Sequence, residues 1–167
     1  MKTREIKIEH FMLAVLFTYI PFHLFEEALG NFPRWMAQHH WTPHTITYSH
    51  WMACNIFFYL PILAIGLLIY YLSQKKLLFA GMGVIIWGIL NFIEHFVYSI
   101  IDSKVSPGLL TGMIYLVIAV LSIIKLKKTE KLSFRLLLPS TLAAIVYAGL
   151  PVVLQVICAP YFRGIFV

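Results

Sequence analysis

Apolar runs of roughly 18 residues or more recur from one end of this sequence to the other. Wound as a helix, a run of that length crosses the hydrocarbon core of a bilayer. In lipid the backbone must satisfy its own hydrogen bonds, so repeated runs leave an all-α, polytopic transmembrane bundle as the expected fold. Only 12% of the residues are charged, about half the usual share for a soluble domain. The 167 residues leave no room for a separate soluble domain, and a single integral membrane domain over 1–167 is expected.

Five spans are expected, over about 8–29, 46–73, 77–101, 107–124 and 136–158. Pro61 is a candidate bend in the second, and Pro107 suits the first turn of the fourth. The stretch 30–45 reads as a linker: its prolines end the first span, and Trp35 and Trp41 suit a membrane interface. Residues 1–7 followed by an apolar run resemble a signal peptide. That run is too long for a signal core and is interrupted by His23, Glu26 and Glu27, so it is expected to stay as the first helix. Cys54 and Cys158 fall in apolar runs and read as small buried hydrophobes, not as a disulfide framework.

Of the Lys and Arg residues, ten (2, 4, 7, 75, 76, 125, 127, 128, 131 and 135) fall on one side of this arrangement and three (34, 104 and 163) on the other. The positive-inside rule then sets the N-terminus in the cytoplasm and the C-terminus outside, in what is expected to be a bacterial plasma membrane. The net charge of +6 comes from short basic patches between spans. Such patches mark topology and contact with lipid head groups, and nucleic acid is not an expected partner.

With that topology, His23, Glu26, Glu27, Asn91, Glu94 and His95 lie in outward halves of outward-running helices. His50, Asn55 and Thr111, near the starts of inward-running helices, and Gln155, late in the last, reach the same depth. Ionisable groups inside a membrane are costly and mark function by default. On a straight helix Glu26 stands roughly 60° to one side of His23 and Glu27 roughly 40° to the other, so the three should form one cluster. Asn91, Glu94 and His95 repeat that i, i+3, i+4 spacing on the third span. Facing helices that present histidines, carboxylates and an amide to one cavity are how bundle metal sites are built.

His23-x-x-Glu26-Glu27, Asn91-x-x-x-His95 and Pro107-Gly108-x-x-Thr111 stand in the order of three motifs shared by the HXXEE-domain family, which this chain resembles over about 8–125. The helix over about 136–158 is additional to that region. The resemblance implies a small integral membrane protein with these motif residues as its functional set, and it implies no particular reaction.

The residues themselves favour metal-dependent hydrolysis of a lipid-like or amphipathic substrate. His23, His95 and one of Glu26 or Glu27 are the expected ligands, and the other glutamate is the expected base. Asn91 and Thr111 are expected to stabilise developing negative charge, and His50, Asn55 and Glu94 are candidate lining residues. Histidine and carboxylate ligands favour zinc, with di-iron or di-manganese also compatible. Lipid oxidation at a di-iron centre, ion or proton transport, and a non-catalytic membrane scaffold are the competing readings. Intramembrane CAAX-type proteases use a similar inventory in a different order, an analogy of residue types only. His39, His40 and His44 read as surface histidines of the linker.

Overall fold

The computed structural model describes residues 7–42, 46–72, 77–128 and 133–157. Lys2, Arg4, His44, Lys75, Lys76, Lys131, Cys158 and Arg163 lie outside the described residues, and the readings that fell on them stop there. The described chain is helical throughout and contains no strand. Five helices are long and apolar enough to cross a membrane, as the apolar runs predicted.

The first span, Ile8–Leu29, has three parts: α1 (Ile8–Thr18), a π-helical stretch (Tyr19–Leu24) and the short α2 (Phe25–Leu29). Pro21 sits within the wide stretch. It has no N–H to complete the α-helical ladder, and a locally wider turn accommodates the missing bond. The spacing had predicted one uninterrupted helix here.

The expected linker also differs from the reading, because it contains the helix α3 (Phe32–Gln38). Asn31 precedes it in a left-handed conformation (φ 48°), and Pro33 occupies its first turn, where a missing N–H costs nothing. The remaining spans are α4 (Tyr48–Leu72), α5 (Leu78–Ile101), α6 (Leu109–Lys128) and α7 (Phe134–Val152). Pro107 and Gly108 form the turn before α6 instead of its first helical turn, and α7 runs on into a π-helical stretch, Val153–Ile157.

The first span and α5 form the centre. α1 packs on α4, α5 and α6, while α5 packs on α6 and α7 as well. Without a hydrophobic drive between helices in lipid, close approach depends on small residues at the contacts. A Cβ at Gly81 would stand 2.8 Å from Met12 Sδ, one at Gly83 2.8 Å from Ala143 Cβ, and one at Gly88 3.0 Å from Tyr115 Cβ. Three neighbours of α5 are therefore admitted by three glycines. Replacing Gly88 by valine forces α5 off Tyr115 and is expected to cost about 1–3 kcal/mol, read as earlier thermal unfolding in detergent.

Below the polar end, Met12, Val15, Leu16, Ile69, Met82 and Ile85 are all fully buried and close the bundle. α7 is the least enclosed span, with 11% of its apolar window buried against 28–39% for the others.

Candidate metal centre

His23, Glu27 and His95 meet in the buried heart of the polar end. His23 comes from the π-helical stretch, Glu27 from the next turn and His95 from α5. Glu27 Oε1 lies 3.6 Å from His23 Nε2 and 3.4 Å from His95 Nε2. One ligand atom from each residue falls within 4.8 Å of the other two. Ligand atoms bound about 2.1 Å from a tetrahedral ion stand roughly 3.4 Å apart, so two of these three spacings already fit a shared cation.

The outward hydrogen bonds of the two rings fix what they present inward. His23 Nδ1 is 2.7 Å from Thr111 Oγ1. That hydroxyl's other neighbours are Glu26 Oε2 at 2.6 Å and the Gly108 carbonyl at 3.2 Å, which only accept. Thr111 therefore donates to one of them, and His23 Nδ1–H donates to Thr111. His95 Nδ1 lies 3.0 Å from Ser106 Oγ, which itself donates to the Pro107 carbonyl at 3.2 Å. These assignments follow from the network and leave both Nε2 atoms as lone pairs facing Glu27. Asn91 Nδ2 donates to His23 Nε2 at 3.1 Å, while its Oδ1 is buried without a hydrogen-bond partner. The His95 Nε2 lone pair and the Glu27 oxygen repel one another unless a proton or a cation lies between them, and a cation would take the His23 Nε2 lone pair in place of the Asn91 N–H. Histidine ligands whose other nitrogen is anchored by a hydrogen bond are the usual architecture of metal centres.

The turn before α6 is shaped around the two rings. Gly108 has φ +95°, and a Cβ there would stand 2.6 Å from His95 Cε1 and 2.9 Å from His23 Cε1. Pro107 packs on Gly30, where a Cβ would fall 2.5 Å from the Pro107 ring. The Pro107-Gly108-x-x-Thr111 motif thus supplies a close-fitting turn and a hydroxyl to the same site.

The paired glutamates divide to either side of His23. Glu27 joins the histidines, whereas Glu26 turns to the start of α6 and accepts from Leu110 N at 3.1 Å, Thr111 N at 2.8 Å and Thr111 Oγ1 at 2.6 Å. The expected single cluster is therefore corrected. Glu26 is outside the ligand group and acts on His23 through Thr111, whose hydroxyl is spent on that link and not on a developing charge. Carboxylate and N–H groups match here because a helix N-terminus carries unpaired donors and a partial positive charge.

A cavity of about 150 Å³ opens beside the cluster. Glu27, His23, Asn91 and His95 line it together with Asn55, Glu94 and Gln155, so most of the expected polar layer converges on one space. Asn55 is held by Tyr19 Oη at 2.6 Å, and Glu94 by Tyr98 Oη at 2.7 Å. His50 is not among the lining residues; its Nε2 lies 3.5 Å from Cys54 Sγ within α4. The His39 ring lies 4.4 Å from that of Trp35, tilted by 34°, and His40 occupies a left-handed turn; neither is part of the cluster. Sequence reasoning missed Ser106 as the anchor of His95, and Phe32 and Trp41 as cavity walls. Ser106 sits directly before the Pro107-Gly108 turn, which was the available signal.

No curated protein and no solved structure matches the chain. A family model described as protein of unknown function with HXXEE motif matches residues 14–123, which takes in most of the first span, α3, α4, α5 and the first three quarters of α6. His23, Glu26 and Glu27 spell the HXXEE motif within that stretch, and the chain belongs to the HXXEE family.

Proposed function

We propose that this protein is a membrane-embedded, metal-dependent hydrolase of lipid-like or amphipathic substrates, with His23, His95 and Glu27 as the ligands of one divalent cation. The observation that carries the reading is the convergence of two imidazole lone pairs on one carboxylate oxygen, with each ring anchored from behind by a hydroxyl. Two histidines and one glutamate, with a cavity on the open side, match the three-ligand pattern of catalytic zinc, which makes zinc the favoured ion. When bound, such an ion supplies Lewis acidity and makes water acidic enough to lose a proton near neutral pH.

The chain's own groups divide the remaining work. Glu27 offers Oε1 to the histidine pair, leaving Oε2 to take a proton. Asn91 spends one N–H on His23 Nε2 and offers its second to charge developing on the substrate. Glu26 and Thr111 hold His23 in register. A di-iron centre needs more carboxylates than the cluster provides once Glu26 is committed to α6. The fully buried apolar layer below the cavity argues against a polar path across the membrane and hence against transport. The Lys and Arg asymmetry supports a cytoplasmic N-terminus, with the cavity in the outer half of a bacterial plasma membrane.

The test is metal content by mass spectrometry on detergent-purified protein free of a histidine tag and of chelators, beside His23→Ala and His95→Ala. About one zinc per chain, lost in both variants, is the expected result. About two irons per chain would replace hydrolysis by oxidation, and no metal in the wild type would overturn the mechanism.

A further inference from the structure

The walls of the cavity carry a second kind of chemistry that metal binding does not use. Tyr98 links two of them: its hydroxyl donates to Glu94 at 2.7 Å, and its ring lies 4.4 Å from that of Trp41. Phe32 stands 6.5 Å from Tyr98, and Trp51 closes another side. Phe32 and Trp51 are buried and so are not simple interfacial anchors reaching out to lipid, while Trp41 and Tyr98 are half-buried. Tyr98 is the only hydrogen-bond partner of Glu94 among the described residues, leaving a carboxylate inside a membrane span with little to neutralise it. Among the described residues, neither Lys nor Arg lines the cavity.

A carboxylate set beside several aromatic faces, with no cation of its own, is the chemistry that recognises substituted ammonium groups. The described side chains of these walls give a phosphate or sulfate no positive partner, so only a cation held at His23, Glu27 and His95 would draw one in. Size points in the same direction. A cavity of about 150 Å³ is well below the roughly 300–1,000 Å³ of pockets that enclose a whole drug-sized ligand, so it takes a head group and leaves a chain outside.

We infer that the cavity binds the cationic, substituted-ammonium head group of an amphiphile, with Glu94 as counter-ion and Trp41, Tyr98 and Phe32 as the aromatic wall. As a substrate class this rests on the hydrolase reading: the head group seats at Glu94 and an adjacent ester or amide reaches Glu27. As a binding site it stands without that reading.

The experiment is calorimetric titration of the detergent-purified protein in a non-ionic detergent, metal-loaded and metal-stripped, with the hexyl phosphate comparison read on the stripped form, where no cation holds a phosphate. The probes are hexyltrimethylammonium, its uncharged isostere bearing a tert-butyl group in place of the head, and hexyl phosphate. The ammonium probe is expected to bind at least about tenfold more tightly than either of the others. Glu94→Gln, an isosteric change at an exposed position, and Trp41→Leu should each weaken it by about tenfold while leaving metal content unchanged. Equal binding of the three probes, preference for the phosphate, or full affinity in Glu94→Gln would overturn the inference. His95→Gln separates the two readings. Loss of metal with ammonium binding retained is expected, and ammonium binding by a wild type that holds no metal would uphold this site while removing the hydrolase.

Discussion

Gly108→Ala is expected to empty the metal centre and to destabilise the fold, although it adds a single methyl group. Two costs act together. The backbone there has φ +95°, a conformation that costs an L-residue with a Cβ roughly 1–2 kcal/mol. The added carbon would also stand 2.6 Å from His95 Cε1, 2.8 Å from its Nε2 and 2.9 Å from His23 Cε1. Neither ring can retreat, because both are buried and each is tied through Nδ1 to a hydroxyl. Overpacking of this kind adds about 1–3 kcal/mol, for a total loss of about 2–5 kcal/mol. Displaced ligands should lower metal content by at least about tenfold. Gly149→Ala is the control, since a Cβ there meets nothing within 4 Å. It lies in α7, where alanine is favoured over glycine by roughly 0.5–1 kcal/mol, so unfolding should be unchanged or slightly later and metal retained. Wild-type metal content and unfolding in Gly108→Ala would mean that the turn is not fitted to the rings.

Much of this was legible in the sequence because lipid restricts the choices. Apolar runs gave the five spans, and the cost of ionisable groups in a membrane pointed to His23, Glu26, Glu27, Glu94 and His95 before any contact was known. What stayed hidden depends on contacts between segments distant along the chain. Helical phase alone puts Glu26 and Glu27 on either side of His23, but it does not say that the start of α6 will claim Glu26. The π-helical turn around Pro21 had one sequence signal, the proline itself, and periodicity does not say how a helix absorbs it. α3 was hidden by its brevity, although Asn31 and Pro33 are start signals in hindsight. His50 shares the depth of the site yet faces Cys54, because depth along a helix does not fix which way a side chain points. The far cavity wall, with Pro151 and Gln155, comes from α7 and the π-helical stretch that continues it, beyond the stretch that the family match covers.

The two adjacent glutamates are expected to give opposite results when each is made neutral without changing its shape. Glu27→Gln removes a ligand, so metal affinity should fall beyond the roughly 10–100-fold typical of losing an outer partner. Its fold should nevertheless hold, because the new amide can donate an N–H to the His95 Nε2 lone pair that Glu27 Oε1 now faces at 3.4 Å, while His23 Nε2 keeps the N–H of Asn91. Thermal unfolding of Glu27→Gln should therefore be no earlier than that of metal-stripped wild type. Glu26→Gln acts in reverse. Its carboxylate accepts three hydrogen bonds at the start of α6, and replacing the charge weakens both the cap and the favourable interaction with the helix dipole. A loss of about 1–2 kcal/mol in stability is expected. The cluster itself stays intact, so metal should still bind, weakened by about 10–100-fold through a less firmly held His23. Metal titration and thermal unfolding of both variants, measured side by side, decide the assignment. If Glu26→Gln abolished metal binding while Glu27→Gln preserved it, the ligand would be the other glutamate and the site would have to be rebuilt around the start of α6.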